Sequence, residues 1–91
     1  MNNRQSVIVP VKNGAVYIAV ALQSALVQLA ADDEIIVIDN GSSDNTVSVV
    51  RAIRDPRIRL IEESTPGPAS ARNAGLRAAS GALVSFLDHD D

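Results

Sequence analysis

The strongest constraint on this chain is an alternation. Four short apolar runs lie at residues 6–11 (SVIVPV), 34–38 (EIIVI), 57–62 (RIRLIE) and 82–87 (ALVSFL), separated by three segments of helical length. Short β-branched runs bounded by turn residues read as strands. Pro10 marks where pairing of the first run should stop. The second run is apolar after Glu34, as in a strand covered on both faces. The third alternates polar and apolar residues, which predicts a strand at the sheet edge.

The intervening segments carry helical spacing. Ile18, Leu22, Ala25, Leu26 and Leu29 predict a helix from 15 to about 30. Val47, Val50 and Ile53 share one face of a second helix, with Ser43 or Asp44 as its N-cap and Asp55-Pro56 as its stop. A third helix is predicted over 68–80, with Pro68 as a first-turn residue and Gly81 as the C-terminal stop. Its Ala71, Ala74, Gly75 and Ala78 are small enough to let it lie close to a sheet. The order is therefore β-α-β-α-β-α-β. Connections of helical length force parallel strands, right-handed crossovers and helices on both faces. This is the α/β class with a Rossmann-like sheet. Ligands bind such sheets beyond the carboxyl ends of the strands. Three of those ends read Pro10-Val11-Lys12-Asn13, Asp39-Asn40-Gly41-Ser42 and Asp88-His89-Asp90, so polar and acidic residues gather along one edge.

Composition removes several function classes. Only 2% of residues are aromatic, so the core must be built from Val, Ile, Leu and Ala. A net charge of −3 argues against a nucleic-acid partner, which needs a basic surface. Without Cys there is no disulfide and no thiolate metal site. The polar start Met1-Asn2-Asn3-Arg4-Gln5 lacks the apolar core of a signal peptide, and no apolar run is long enough for a bilayer, so a cytoplasmic location is expected. Neither G-x-G-x-x-G after the first strand nor G-x-x-x-x-G-K-[ST] occurs, which sets aside a dinucleotide fingerprint and a P-loop.

The chemistry-bearing residues admit two readings each. Asp88, Asp90 and Asp91 put three carboxylates within four residues. Such groups repel unless a cation or protons neutralise them, and oxygen-only ligands favour Mg²⁺ or Mn²⁺. The other reading is a solvated acidic tail. Asp39 can accept hydrogen bonds from a nucleoside base, or it and Ser42 can order the loop. Arg72 can meet a phosphate or ribose, or be an ordinary surface cation. Lys12 has the same two readings, and His89, the single His, reads best as a spacer.

Taken together, SVIVPVKNG, EIIVIDNGSSDNT, DPRIRLIEE, GPASARNAGLRAASG and ALVSFLDHDD resemble, in order and spacing, the first half of family 2 glycosyltransferases of the GT-A type. The resemblance runs from Ser6 to Asp91. It implies a parallel sheet in order 3-2-1-4, half of a GT-A domain, with residues 1–91 as the nucleotide-sugar-binding part ending at the D-x-D motif. It implies that Pro10 and Asn13 lie beside the nucleotide, that Asp39 and Asn40 match the family's Asp-Asp-Gly-Ser block, which contacts the base and orders the loop, and that Arg72-Asn73 matches its Ala-Arg-Asn segment near the nucleotide. Asp88 would face the ribose and Asp90 would hold Mn²⁺ or Mg²⁺ on the diphosphate. Lys12 stands where the family often has a stacking aromatic, and Asn40 where it has a second Asp. The implied activity is metal-dependent, inverting transfer of a sugar from a nucleotide-diphosphate donor to the hydroxyl of a saccharide or lipid-linked glycan. The family's general base, an Asp or Glu, lies beyond the D-x-D motif, so no catalytic residue is expected up to Asp91. A homodimer through an exposed sheet edge and peripheral association with the inner face of the membrane are further expectations. The competing readings are a non-catalytic nucleotide-binding or interaction module on the same fold, and a phosphoacceptor signalling domain. The latter needs an acidic pair at the first strand end, where Lys12-Asn13 stands.

Overall fold

The computed structural model describes residues 3–87. Four strands, β1 (Gln5–Val11), β2 (Glu34–Asp39), β3 (Ile58–Glu62) and β4 (Leu83–Phe86), alternate with helices α1 (Ile18–Val27), α2 (Thr46–Ala52) and α3 (Pro68–Ala78). All pairings are parallel and the spatial order is β3-β2-β1-β4. The alternation in the sequence predicts this class, and β3 does lie at an edge.

Strand periodicity sorts the core into two layers. Val7, Val9 and Val11 of β1 stand in register with Ile35, Val37 and Asp39 of β2. Their face packs against Ile18 and Leu22 of α1 and Val50 of α2. Ile8, Ile36 and Ile38 point to the other face and pack against Ala71 and Ala74 of α3. Every residue of β2 is buried, as its unbroken apolar run predicts. The small residues of α3 act as expected. A β-carbon at Gly75 would lie 2.3 Å from the Ile8 Cγ2, so the helix rests directly on the strand.

The structure moves several predicted boundaries. Pairing with β2 continues through Pro10, which is in register with Ile38, rather than stopping there. The Ile8 carbonyl accepts from Leu87 toward β4, whereas the Val11 carbonyl accepts from Asn40 toward β2. Alternation thus turns the Pro10 nitrogen toward β4, and its missing N–H removes no β1–β2 bond. Helix α1 is shorter than predicted because residues 14–17 form a turn in which the Gly14 carbonyl accepts from Tyr17 and Ile18. At its other end, Arg57 donates to the Leu26 and Leu29 carbonyls, both at 3.1 Å, while Asp55 holds the guanidinium at 2.9 Å. A cation there adds a donor to carbonyls at the end of the helix, of which Leu26 also accepts from the Leu29 N–H at 3.3 Å. Helix α2 starts one or two residues later than predicted. Asn45 is the boundary residue, although the Asp44 carboxylate accepts from the Thr46 N–H at 3.0 Å. Helix α3 ends at Ala78, and Ala79 is already extended, so Gly81 is not its cap. Gly81 is needed for proximity instead: a β-carbon would lie 2.7 Å from the Arg4 carbonyl oxygen.

Strand β4 closes one side of the sheet with its apolar residues uncovered. Leu83, Val84 and Phe86 are 42–58% exposed. Between β4 and α1 runs a groove of about 550 Å³, lined by Val7, Ala21, Ala25, Leu29, Phe86 and Leu87 among others. No helix among the described residues is long and apolar enough to cross a membrane.

At the amino edge of the sheet, Glu34 is a buried carboxylate that sequence patterning does not single out. Its oxygens accept from Ser6 Oγ at 2.6 Å, Ser80 N–H at 2.8 Å, Ser80 Oγ at 2.9 Å and Arg59 at 3.1 Å. Burial pushes its pKa up, but the hydrogen bonds from Ser6, Ser80 and Arg59 outweigh burial and bring it down to about 2 from the ordinary 4.5. A carboxyl with a depressed folded-state pKa stabilises the fold above its unfolded value. That contribution disappears as pH falls from 4.5 to about 2. Glu34→Gln should therefore lower the free energy of unfolding at neutral pH by roughly 1.5–3 kcal/mol. It should also flatten the acid limb of urea-unfolding stability over that window; an unchanged acid limb would show that other carboxylates carry it. Gly75→Ala should cost about 1–3 kcal/mol through overpacking against Ile8, despite a helix-propensity gain of about 1 kcal/mol. Denaturant melts giving equal or greater stability would mean that Ile8 turns aside.

Candidate functional site

The carboxyl ends of the strands line up. Val11 is in register with Asp39, and Asp39 with Glu62. Three loops leave this edge, at 12–17, 40–45 and 63–67, and polar side chains tie them to one another.

Asn13 joins the first loop to the second. It has a left-handed backbone (φ 54°), a conformation Asn tolerates better than most residues. Its N–H donates to Ser42 Oγ at 2.8 Å, and its Oδ1 accepts from Ser43 N–H at 2.7 Å, Ser43 Oγ at 3.2 Å and Asp44 N–H at 3.3 Å. Two further bonds reinforce the seam: Gly14 N–H to Thr46 Oγ1 at 3.0 Å and Ala15 N–H to Asp44 Oδ2 at 3.3 Å. The Thr46 hydroxyl donates to Asp44 Oδ1. That bond, together with the Thr46 and Ala15 amides, holds the Asp44 carboxyl below its ordinary pKa.

Asp39 is buried at the end of β2. Its Oδ1 accepts from Ser42 Oγ at 2.5 Å and its Oδ2 from Ser42 N–H at 3.2 Å. This is the loop-ordering role, and each carboxylate oxygen keeps a lone pair for a further donor. Asn40 reaches the third loop. Its Nδ2 donates to the Glu63 and Thr65 carbonyls at 3.1 and 2.8 Å, and its Oδ1 accepts from Gly67 N–H at 3.0 Å. Helix α3 starts directly after Gly67, so it begins at this edge. Arg72 lies one turn in, exposed, with no hydrogen bond or ion pair among the described residues, and Lys12 is exposed and unpaired in the same sense. Asn73 lines a polar groove of about 200 Å³ with Glu63, Thr65, Ser70 and Arg77.

The structure thus brings Pro10, Asn13, Asp39 and Asn40 to one edge, with α3 and Arg72 starting beside them. Asp88 and Asp90, named from the sequence, lie outside the described residues, as does His89. Among the described residues no group of three His, Cys, Asp or Glu side chains could hold a metal ion. Sequence reasoning missed Thr46 and the clamp made by Asn40. Asp44-x-Thr46 carried a local signal for the first. The second had none, because its partners are backbone groups 23 to 27 residues away.

Comparison with known proteins agrees with this arrangement. The family model for glycosyl transferase family 2 matches residues 6–91. The succinoglycan biosynthesis protein ExoO of Rhizobium meliloti is 45% identical over 85 residues, covering 92% of this chain and 24% of the relative. Among solved structures, the mannosyltransferase PcManGT of Pyrobaculum calidifontis, in complex with GDP-Man and Mn²⁺, superposes with a TM-score of 0.88 at 35% identity, covering 99% of this chain and 28% of that one. An S. aureus TarS structure in complex with UDP gives a TM-score of 0.87 at 34% identity, covering 96% and 27%, and another TarS structure holds UDP-GlcNAc. The chain spans about a quarter of the length of these proteins. The strand order matches that of GT-A glycosyltransferases, the match covers nearly every residue, and the chain belongs to glycosyl transferase family 2.

Proposed function

We propose that this chain binds a nucleoside-diphosphate sugar across the carboxyl edge of its sheet, as the donor-binding part of a glycosyltransferase. The observation that carries the reading is that one edge holds a buried acceptor, Asp39, and the start of α3, whose exposed Arg72 has no ion pair among the described residues. These are complementary to the two ends of such a ligand. Asp39 has lone pairs left for a base N–H, and Arg72 offers a planar set of donors to a phosphate or ribose oxygen. Pro10 closes the edge beside the nucleotide. Asn13 serves the same edge by fixing the first loop against the second. The nucleotides in the complexes of the similar proteins support a donor of this class.

In this reading Asp88 meets the ribose and Asp90 holds Mn²⁺ or Mg²⁺. The donor set fits: hard carboxylate oxygens suit these ions. They follow Leu87, whose N–H donates to the Ile8 carbonyl at 2.9 Å. When bound, the ion offsets the charge of the diphosphate as it leaves. The remaining chemistry is an inverting displacement. A general base from outside these 91 residues takes the proton of the acceptor hydroxyl. The acceptor oxygen bonds to the anomeric carbon as the bond to the diphosphate breaks, and the nucleoside diphosphate departs with that electron pair. A saccharide or lipid-linked glycan acceptor, a cytoplasmic site of action and attachment to the inner membrane face complete the proposal.

Titration calorimetry of the 91-residue chain with UDP tests the reading. Binding should require Mn²⁺ or Mg²⁺ and should weaken about ten- to a hundredfold in Asp90→Ala, the loss of one charge-assisted contact of roughly 1.5–3 kcal/mol. Asp91→Ala should matter less, since Asp91 lies outside the D-x-D pattern. Equal affinity with Mn²⁺ and with excess chelator would overturn the metal assignment. The uncovered apolar edge at β4 supports self-association of this chain through strand pairing. Sedimentation should show a mass that rises with concentration, and a strict monomer at high concentration would refute it.

A further inference from the structure

Asn40 stands next to Asp39, yet its chemistry differs. An Asn amide nitrogen carries two hydrogens. Here one goes to the Glu63 carbonyl and the other to the Thr65 carbonyl. The side-chain oxygen takes the Gly67 N–H, and the residue is only 9% exposed. No side-chain donor is left for a base or a phosphate. The main-chain N–H of Asn40 is also engaged, donating to the Val11 carbonyl at 2.9 Å. Asn40 is therefore locked to β1 through its backbone and to the third loop through its side chain.

What the side chain grips is the start of α3. Gly67 has φ +110°, a backbone that a residue with a β-carbon rarely adopts, and Pro68 follows as the first helical residue. The Gly67 carbonyl then accepts from Ala71 N–H at 3.3 Å. Arg72 is the next residue. The far end of the helix is held separately, by Ser80 N–H donating to Glu34.

We propose that Asn40 is a positioning residue: it sets where α3 begins, and with it the distance from Arg72 to Asp39, without touching the nucleotide. The nucleotide part of this inference rests on the reading that Arg72 meets the donor. The clamp selects an amide. Asn40→Asp would keep the acceptor for Gly67 but turn two donors into acceptors facing two carbonyls, whereas Asn40→Ala removes all three bonds and adds no repulsion. The Asp variant should therefore be the worse of the two.

Amide hydrogen exchange on the 91-residue chain tests the clamp without any ligand. In Asn40→Ala, exchange at Gly67 and Ala71 should accelerate about tenfold or more, while Ala79, near the end of the helix held by Glu34, stays protected. Unchanged exchange at Gly67, or equal acceleration along the whole helix, would overturn the proposal. Calorimetry with UDP and Mn²⁺ on Asn40→Ala, Asn40→Asp, Arg72→Ala and the Asn40→Ala/Arg72→Ala double variant tests the link to Arg72. Affinity should fall about tenfold in Asn40→Ala and further in Asn40→Asp. The penalty of Arg72→Ala should shrink once Asn40 is gone, because residues acting through one another are not additive. Strictly additive penalties, or wild-type affinity in Asn40→Asp, would refute it. If Arg72→Ala alone leaves UDP affinity unchanged, the donor-binding role of Arg72 fails, while exchange at Gly67 still decides the clamp.

Discussion

The rest of the structure depends on the parallel ladder between β1 and β2. It is six residues long and supplies both core layers. Because β2 is buried on both faces, polar groups at its two ends must find partners within the protein. Some of those partners flank α3. Glu34 at the amino end accepts from Ser80 after the helix, and Asn40 beyond the carboxyl end accepts from Gly67 before it. One strand thus holds one helix at both extremities, and Gly75 between them allows contact with Ile8.

The fold engages several cations at the amino edge. At the amino edge, Arg4 and Arg59 turn inward on Glu34, and Arg57 is held by Asp55 and two helix carbonyls. Those cations are engaged in holding the fold. At the carboxyl edge, Lys12 and Arg72 have no such partner among the described residues. These exposed cations lie near an edge that also carries Asp39, Asp44, Glu62 and Glu63. The loops there do not depend on a ligand for their shape. Asn13, Asp39, Asn40 and Asp44 each bond to backbone groups, so the edge is organised beforehand, which reduces the ordering required on binding.

Much of the fold was legible in the residues. Runs such as EIIVI and the helical spacing of Ile18 and Leu22 report burial directly, and burial decides element type. The departures share a cause. Pro10 read as a stop because sequence does not say which side of a strand a nitrogen faces. Gly81 read as a helix cap because its position after α3 was visible, whereas its approach to the Arg4 carbonyl was not. For Asn40 the motif showed a place in the loop after β2, and only the fold shows its side-chain amide bonded to three backbone groups.

The sequence by itself determined the order of elements, the parallel sheet and the edge where polar residues collect, since each follows from periodicity and from connections of helical length. The proposal that Asp39 and Arg72 serve one donor site came from motif resemblance. Only the tertiary structure decided which polar residues remain available to a ligand and which are already engaged. That distinction depends on hydrogen-bond partners 23 to 46 residues distant, as for Asn40 with Glu63 and Glu34 with Ser80. A backbone carbonyl is present at every position and an N–H at every position except Pro, so a sequence cannot show which of them a side chain will meet.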